Sequence, residues 1–432
     1  MNRVNIITLG CSKNVVDSER IGAQLEAAGW DVEFDGGEAD GGVVIVNTCG
    51  FIGDAKEESV NMVLRCAGAR TAGRIERLYV IGCLSQRYGE ELRVEIPEAD
   101  AFFGVRDLSE VTTALGVEWD EQLNTERALS TPSHYAYLKV SEGCDRRCGF
   151  CAIPLIRGRH VSVPEEDLVA EAEMLAAKGV KELIVIAQDT TYYGRDLYGE
   201  PRLASLLRKL CRVEGIEWIR LHYAYPEGFP DDVIGVMASE PKICEYLDIP
   251  LQHISDSQLR AMKRGNDRES TLALLGKLRE RIPGIAIRTT LLTGYPGETE
   301  EDFRQLEEFV REARFERLGV FPYSEEEGTY SALRLRDDVP EEEKRRRTDL
   351  LMEVQSAISH EKNLALVGSE TEVMADRAEG GYIVARSRHD SPEVDQEILL
   401  PEESFGEAPA PGDIFRVRIT GAQSYDLYAE PL

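Results

Sequence analysis

Three short apolar runs each end in a cysteine: VNIITLG before Cys11, VVIVNT before Cys49 and RLYVIG before Cys83. Helical sequence separates them, first DSERIGAQLEAAG with Gly29 as its stop, then AKEESVNMVLRCAGA. Strands alternating with helices predict an open parallel sheet with helical crossovers. In such a sheet all strands run the same way, and ligands bind along their carboxyl edge. Separations of 38 and 34 residues between the cysteines therefore collapse to neighbouring positions in space. The bland alternative is three buried thiols, since free cysteine packs as a small hydrophobe. Cys66, inside the second helical run, and Cys211 and Cys244 further on are read that way.

No stretch of the 432 residues approaches the ~20 continuous apolar residues of a membrane span. The opening MNRVNIITLGCSKN has no signal-peptide pattern, so the expected compartment is the cytoplasm. An odd count of nine cysteines in a reducing compartment argues against a disulfide framework and leaves metal ligation, catalysis or burial. The net charge of −29 disfavours loose association with polyanions and favours a basic partner.

Residues 1–120 form the first unit, and 121–134 lose periodicity and read as a linker. Residues 135–366 carry six further strand signals: YAYLKVSEG, ELIVIAQDT, WIRLHYAYP, YLDIPLQ, AIRTTLLTG and RLGVFPYS. Six strand–helix units predict a partial (βα)6 barrel or an open parallel sheet, short of the eight of a full barrel. The closing stretch PEEEKRRRTDLLMEVQSAISHEKNLAL is predicted as a helix whose acids and bases form a solvated face. Residues 367–432 change to short strands with Gly and Pro between them, a small all-β barrel. That segment holds 14 acidic residues against five arginines and no lysine, so it lacks the positive groove of a nucleic-acid binder.

The strongest chemical signal is SEGCDRRCGFCAIP, where Cys144, Cys148 and Cys151 are spaced C-x3-C-x2-C at the end of the first strand of the second unit. A closed structural zinc site needs four ligands, and the nearest candidates, His134 and His160, have no finger-like spacing. Short cysteine loops of this kind hold iron–sulfur clusters. Three thiolates on a cubane leave one iron open to an organic cofactor. This motif, with Phe150 before the third cysteine and Pro and Arg-Gly after it, resembles the radical S-adenosylmethionine superfamily. The resemblance implies that the open iron chelates S-adenosylmethionine and that an electron from the cluster cleaves it to a 5′-deoxyadenosyl radical.

Over essentially the whole chain, GCSKNVVDSE, NTCGFI, GCLSQR, SEGCDRRCGFCAIPLIRGRHVS, TGYPGETEEDF and a terminal barrel of the TRAM type resemble the methylthiotransferases of that superfamily. The resemblance implies a second 4Fe–4S cluster on Cys11, Cys49 and Cys83, which presents the sulfur, while the cluster on Cys144, Cys148 and Cys151 generates the radical. One branch of the family modifies an adenosine in tRNA, and another modifies an aspartate of ribosomal protein S12. AQDTTYYGRDLYG, LHYAYPEGFP, DIPLQHISDSQLRAMKRG and FPYSEEEGT resemble the second branch, and the acidic charge agrees, because ribosomal proteins are basic. The expected function is methylthiolation of that aspartate at its β-carbon. An external reductant such as flavodoxin, a monomeric state and docking of the substrate by the terminal barrel complete the expectation. The competing readings are the tRNA enzyme and a non-enzymatic cluster carrier.

Polar residues at strand ends are candidate contacts to S-adenosylmethionine or to the substrate carboxylate: Gln188, Asp189, Gln252, His253, Arg288, Tyr323 and Ser324. Of these Arg288 is the natural carboxylate partner, and His253 reads equally well as a packed histidine. Gly294 and Gly297 allow either close backbone approach or a simple turn.

Overall fold

The computed structural model describes residues 2–36 and 42–432. The first unit is a five-stranded parallel sheet in the order β2-β1-β3-β4-β5. It comprises β1 (Arg3–Thr8), α1 (Ser12–Ala27), β2 (Asp31–Phe34), β3 (Val43–Thr48), α2 (Gly53–Thr71), β4 (Arg77–Gly82), α3 (Cys83–Glu95) and β5 (Ala101–Phe102). The three apolar runs are the central strands, and β3 is buried along its whole length, as a strand covered on both faces must be. The outer strands escape the apolar pattern: β2 reads DVEF and β5 has only two residues. Helix α1 begins at Ser12, earlier than its apolar periodicity predicts. Its first turns carry Asn14, Asp17, Ser18 and Glu19, polar residues that are buried and partnered inside the protein.

The second sheet has six parallel strands in the order β13-β12-β11-β10-β9-β6. They are β6 (Tyr135–Lys139), β9 (Glu182–Ile186), β10 (Trp218–Leu221), β11 (Ile243–Asp248), β12 (Ala286–Thr293) and β13 (Arg317–Pro322), with β7 (Ser141–Glu142) and β8 (Val161–Ser162) as a separate antiparallel pair. Right-handed crossovers between strands in strictly sequential order put every helix on one face. The sheet therefore curls into a partial barrel with six strands and an open inner face.

Residues 370–431 close a five-stranded barrel, β14 (Glu370–Glu379), β15 (Tyr382–Ser387), β16 (Ile398–Pro401), β17 (Ile414–Ala422) and β18 (Leu427–Pro431). Its β15–β16 connection enters the amino end of the partial barrel. Asp390 pairs with Arg317 at the start of β13, Asp395 accepts from Tyr246 Oη at 2.7 Å, and Ser391 reaches His222 Nε2, just past the end of β10, at 3.0 Å. Glu182, at the start of β9, lies between Arg220 at 2.7 Å and Arg386 of β15, all three buried. The terminal barrel thus plugs the floor of the second unit.

Two expectations change. The segment read as a linker is fastened down: Arg127 is fully buried and holds Glu19 of α1 and Glu171 at 2.7 Å, tying the first two units together. The helix Glu341–Leu366 is not a wholly solvated charged face. Lys344 is buried and pairs with Asp337 and Glu341, both at 2.6 Å, and Arg347 is buried against Glu298 at 2.6 Å. Spacing along a charged helix does not reveal which of its bases meet a carboxylate from another element.

Candidate active site

Cys11, Cys49 and Cys83 stand at the carboxyl ends of β1, β3 and β4, as strand polarity requires. The ends are pressed together. A side chain on Gly10 (φ +93°) would lie 2.7 Å from Cys49 Cβ, and one on Gly82 (φ +98°) 2.5 Å from the Thr48 carbonyl. Burial, with Cys11 and Cys83 close by, pushes the Cys49 thiol up to about 11, and burial also raises Cys83. Such thiols stay protonated unless a metal takes them as thiolates.

Cys144, Cys148 and Cys151 lie just past β6, beyond the short β7 strand, at the same edge of the second sheet. Burial raises Cys144 to about 12 and lifts Cys151 as well. Donors already face the sulfurs. The Arg146 amide is 3.4 Å from Cys144 Sγ, Arg264 Nη1 is 3.5 Å from Cys148 Sγ, and Tyr225 Oη is 3.6 Å from the same sulfur. The Tyr225 ring has Arg146 at 4.0 Å and Arg264 at 4.2 Å from its centroid. This is a donor set for anionic, metal-bound sulfur. Among the described residues no three Cys, His, Asp or Glu side chains close on a single metal ion. His134 and His160 take no part, being bonded to Asp376 at 2.7 Å and to Ser162 at 3.0 Å.

The two triplets share one interface. At one end of the second sheet Lys139 of β6 pairs with Asp17 of α1. At the other, Glu326, beyond β13, takes Lys56 of α2 and Arg87 of α3, both at 2.8 Å. The first unit therefore lies across the carboxyl edge of the second from its first strand to its last. Cys83 packs in one cluster with Ala152, the residue after Cys151. Between them runs Arg157, buried, bonded to both Glu142 oxygens at 2.9 Å, to Asn14 at 2.5 Å and to Asp17 at 3.2 Å, with its charge close enough to Cys83 to oppose the effect of burial there. Burial alone would raise the Glu142 carboxyl, but Lys139 and Arg157 hold it well below its ordinary value.

The other candidates separate by environment. Gln188 donates to Glu142 at 3.0 Å, while its buried Oε1 has no partner. Asp189 accepts from Thr191 and holds Arg146 at 2.8 Å, so it positions the cysteine loop. Gln252 has a left-handed backbone (φ +72°) that bridges to β12. Phe150 packs edge-on against Tyr295 with centroids 6.4 Å apart. Tyr323 is buried with its hydroxyl unpartnered, and Ser324 bonds Glu326 at 3.1 Å. His253 is a packing residue, fixed by Glu298 at 2.9 Å and the Ser255 amide at 3.0 Å. Arg288 does not reach the strand mouths as a free cation. It pairs with Asp248 at 3.1 Å and Asp395 at 3.5 Å, on the side plugged by the terminal barrel. Gly294 makes room for the Lys344 stem, and Gly297 serves a turn in open space. Sequence reasoning passed over Tyr225, Arg264, Arg146 and Arg157. Only Arg157 left a trace, as the arginine of the Arg-Gly that follows the cysteine motif.

Comparison with known proteins follows the same division. The Radical SAM superfamily model matches residues 138–310, Uncharacterized protein family UPF0004 matches 3–104, and the TRAM domain matches 367–432. Among solved structures, the radical S-adenosylmethionine methyltransferase TsrM of Kitasatospora setae, with tryptophan and a cofactor analogue bound, superposes with a TM-score of 0.55 at 15% identity. That match covers 88% of this chain and 79% of that one. The cobalamin-dependent radical enzyme OxsB superposes with a TM-score of 0.52 at 13% identity over 82% of this chain and 56% of that one. These likenesses establish the fold. By fold and site, the chain is a radical S-adenosylmethionine protein, a class that implies an iron–sulfur cluster and S-adenosylmethionine.

The ribosomal protein uS12 methylthiotransferase RimO of Christiangramia forsetii is 53% identical over 100% of this chain and 94% of its own length. The proteins of the same name from Bacteroides thetaiotaomicron (50% identity over 100% and 98%) and Porphyromonas gingivalis (52% over 99% and 98%) match as fully. The chain belongs to the uS12 methylthiotransferase family.

Proposed function

We propose that the protein replaces a hydrogen on the β-carbon of an aspartate of ribosomal protein S12 by a methylthio group. Two 4Fe–4S clusters serve the reaction, one held by Cys144, Cys148 and Cys151 and the other by Cys11, Cys49 and Cys83. When bound, the clusters and S-adenosylmethionine supply the one-electron chemistry that removes the hydrogen and the sulfur and methyl that replace it. The observation that carries the reading is the placement of two thiol triplets on facing strand edges, with Arg157 between them. A carbon held at that interface lies within reach of both, which is the proximity that a two-part substitution needs.

The protein's own groups do the rest. Arg146, Arg264 and Tyr225 donate toward the sulfurs of the second triplet and shield them from water. Asp189 fixes Arg146, and Glu142, bound by Lys139 and Arg157, keeps the two edges in register. Gln188 and Gln252 offer amides at the carboxyl ends of their strands for the amino-acid portion of S-adenosylmethionine. An external one-electron donor such as flavodoxin, a monomeric enzyme and a cytoplasmic setting complete the proposal; no helix among the described residues is long and apolar enough to cross a membrane.

A protein substrate fits the charges of the terminal barrel better than RNA does. All five of its arginines pair with carboxylates: Arg377 with Glu397, Arg386 with Glu182, Arg388 with Glu245, and Arg416 and Arg418 with Glu370. None is left to neutralise a phosphate backbone. The test is mass spectrometry of purified S12 after anaerobic reaction. A single methylthio group on an aspartate is expected. Modification of tRNA with S12 untouched overturns the reading.

A further inference from the structure

Three lysines are buried among the described residues: Lys13, Lys139 and Lys344, exposed by 5%, 5% and 1%. Two are neutralised twice over. Lys139 meets Asp17 and Glu142, and Lys344 meets Asp337 and Glu341. Lys13 has no carboxylate within ion-pair distance and no hydrogen-bond acceptor among the described residues; its Nζ rests 2.8 Å from the centroid of the Tyr223 ring.

Stability does not account for such a cation. A largely buried charge without a counter-ion is unfavourable, and a ring face offsets only part of that cost. Lys13 also sits in the first turn of α1, where the helix dipole disfavours positive charge. Burial, with Arg288, Arg220 and Lys13 nearby, holds His222 well below its ordinary value. Tyr223, which carries the ammonium, has a left-handed backbone (φ +56°), an arrangement that stores strain and clusters at ligand sites.

Lys13 is two residues past Cys11. Tyr223 is two residues before Tyr225, whose hydroxyl lies 3.6 Å from Cys148 Sγ. The ammonium is therefore inside the interface that the two triplets share, and no carboxylate of the described residues comes within ion-pair distance of it.

We propose that Lys13 binds the side-chain carboxylate of the substrate aspartate, so that the charge missing from the interface arrives with the substrate. This rests on the function proposed above and names the residue that selects for it. Arg288, which sequence reasoning favoured for this role, is already held by Asp248 and Asp395. Lys13 anchors the carboxylate and leaves the adjacent β-carbon facing both triplets. A charged hydrogen-bonded pair in this setting discriminates by about tenfold to a hundredfold.

The test has two arms. First, the unaltered holoenzyme is given S12 whose target aspartate is replaced by asparagine, which is nearly isosteric and uncharged. KM is expected to rise about tenfold or more relative to the aspartate protein. Equal KM values overturn the proposal, and this arm needs no enzyme variant to fold. Second, Lys13→Met and Lys13→Arg are compared on both substrates. The methionine variant is expected to lose the preference for aspartate, with the ratio of the two kcat/KM values falling toward one, and the arginine variant is expected to keep it. If Lys13→Met retains the preference, or raises KM for S-adenosylmethionine and leaves that for S12 unchanged, the lysine serves something else. Failure of the unaltered enzyme to modify S12 at all is a different result, and it strikes the function proposed above.

Discussion

Cys144, Cys148 and Cys151 occupy one eight-residue loop, whereas Cys11, Cys49 and Cys83 arrive on three separate strands from 73 residues of chain. Both sets end at the same interface. The loop triplet is fixed by local spacing and tuned by donors from beyond β10 and β11, Tyr225 and Arg264. The strand triplet is fixed only by sheet formation, and its register depends on tight approaches such as that at Gly82. Local spacing tolerates distortion of the surrounding sheet, but a topological triplet does not. The strand triplet should thus report on the fold of its own unit, the loop triplet on its immediate surroundings.

The largest expected effect separates the two sets by chemistry. Alanine at Cys144, Cys148 or Cys151 is expected to abolish formation of 5′-deoxyadenosine under reduction, and with it every later step. Alanine at Cys11, Cys49 or Cys83 is expected to abolish methylthio transfer to S12 while cleavage of S-adenosylmethionine continues. Product chromatography reads the first outcome and mass spectrometry of S12 the second. Loss of cleavage from both sets would erase the distinction. Iron analysis sharpens it further, since each set should lose about half of the reconstituted iron.

Next in size is a contrast between the roof and the floor of the partial barrel. Arg157 joins the roof to the second unit, and Glu182 joins the floor. Arg157→Met leaves Asp17 and Glu142 short of a partner, and Glu182→Gln leaves Arg220 and Arg386 facing a neutral group. Each is expected to cost about 3–5 kcal/mol in chemical denaturation, the range for breaking a buried ion pair. The floor result bears on the terminal barrel. Removing residues 367–432 unseats Glu182, His222, Arg288 and Arg317 together. Lost turnover after that deletion therefore reports collapse of the floor, and docking of S12 needs substitutions on the barrel's outer acidic face instead.

The floor also has a pH dependence of known sign. Burial acts to raise the Glu182 carboxyl, yet Arg386 and Arg220 hold it below its ordinary value. A lowered carboxyl contributes stability that is complete above the unfolded value of about 4.3 and is lost as pH falls through the folded value. Unfolding free energy at pH 7 should exceed that at pH 3.5 by more in the parent protein than in Glu182→Gln. Equal slopes in the two proteins would remove the carboxylate from the account.

Much of this architecture is legible in the sequence. The β3 run VVIVNT and the six later strands are apolar enough to mark a parallel sheet, and strand polarity then brings Cys11, Cys49 and Cys83 together without further information. C-x3-C-x2-C carries its own geometry. What sequence could not reveal were contacts whose partner lies far along the chain. Arg288 looks like a free strand-end cation until Asp395 arrives from the terminal barrel. Lys344 and Arg347 look solvated until Asp337 and Glu298 meet them. The 121–134 segment looks loose until Arg127 finds Glu19 and Glu171. Lys13 is the converse: an ordinary polar residue of GCSKN that becomes informative only when no described carboxylate proves to pair with it.

The smallest expected effect probes how the loop triplet is tuned. Tyr225→Phe removes one hydroxyl 3.6 Å from Cys148 Sγ and leaves the ring between Arg146 and Arg264. The fold should be unaffected to within about 1 kcal/mol, because a single hydrogen bond is lost and the packing is kept. A hydroxyl donating to a cluster thiolate stabilises the more negative, reduced state, so its removal is expected to shift the reduction potential of that cluster to a more negative value. Redox titration followed by spectroscopy measures the shift. The same titration of the cluster on Cys11, Cys49 and Cys83 should show no movement. A matched shift in both would mean that Tyr225 acts through the interface as a whole and that the two triplets are electronically one site.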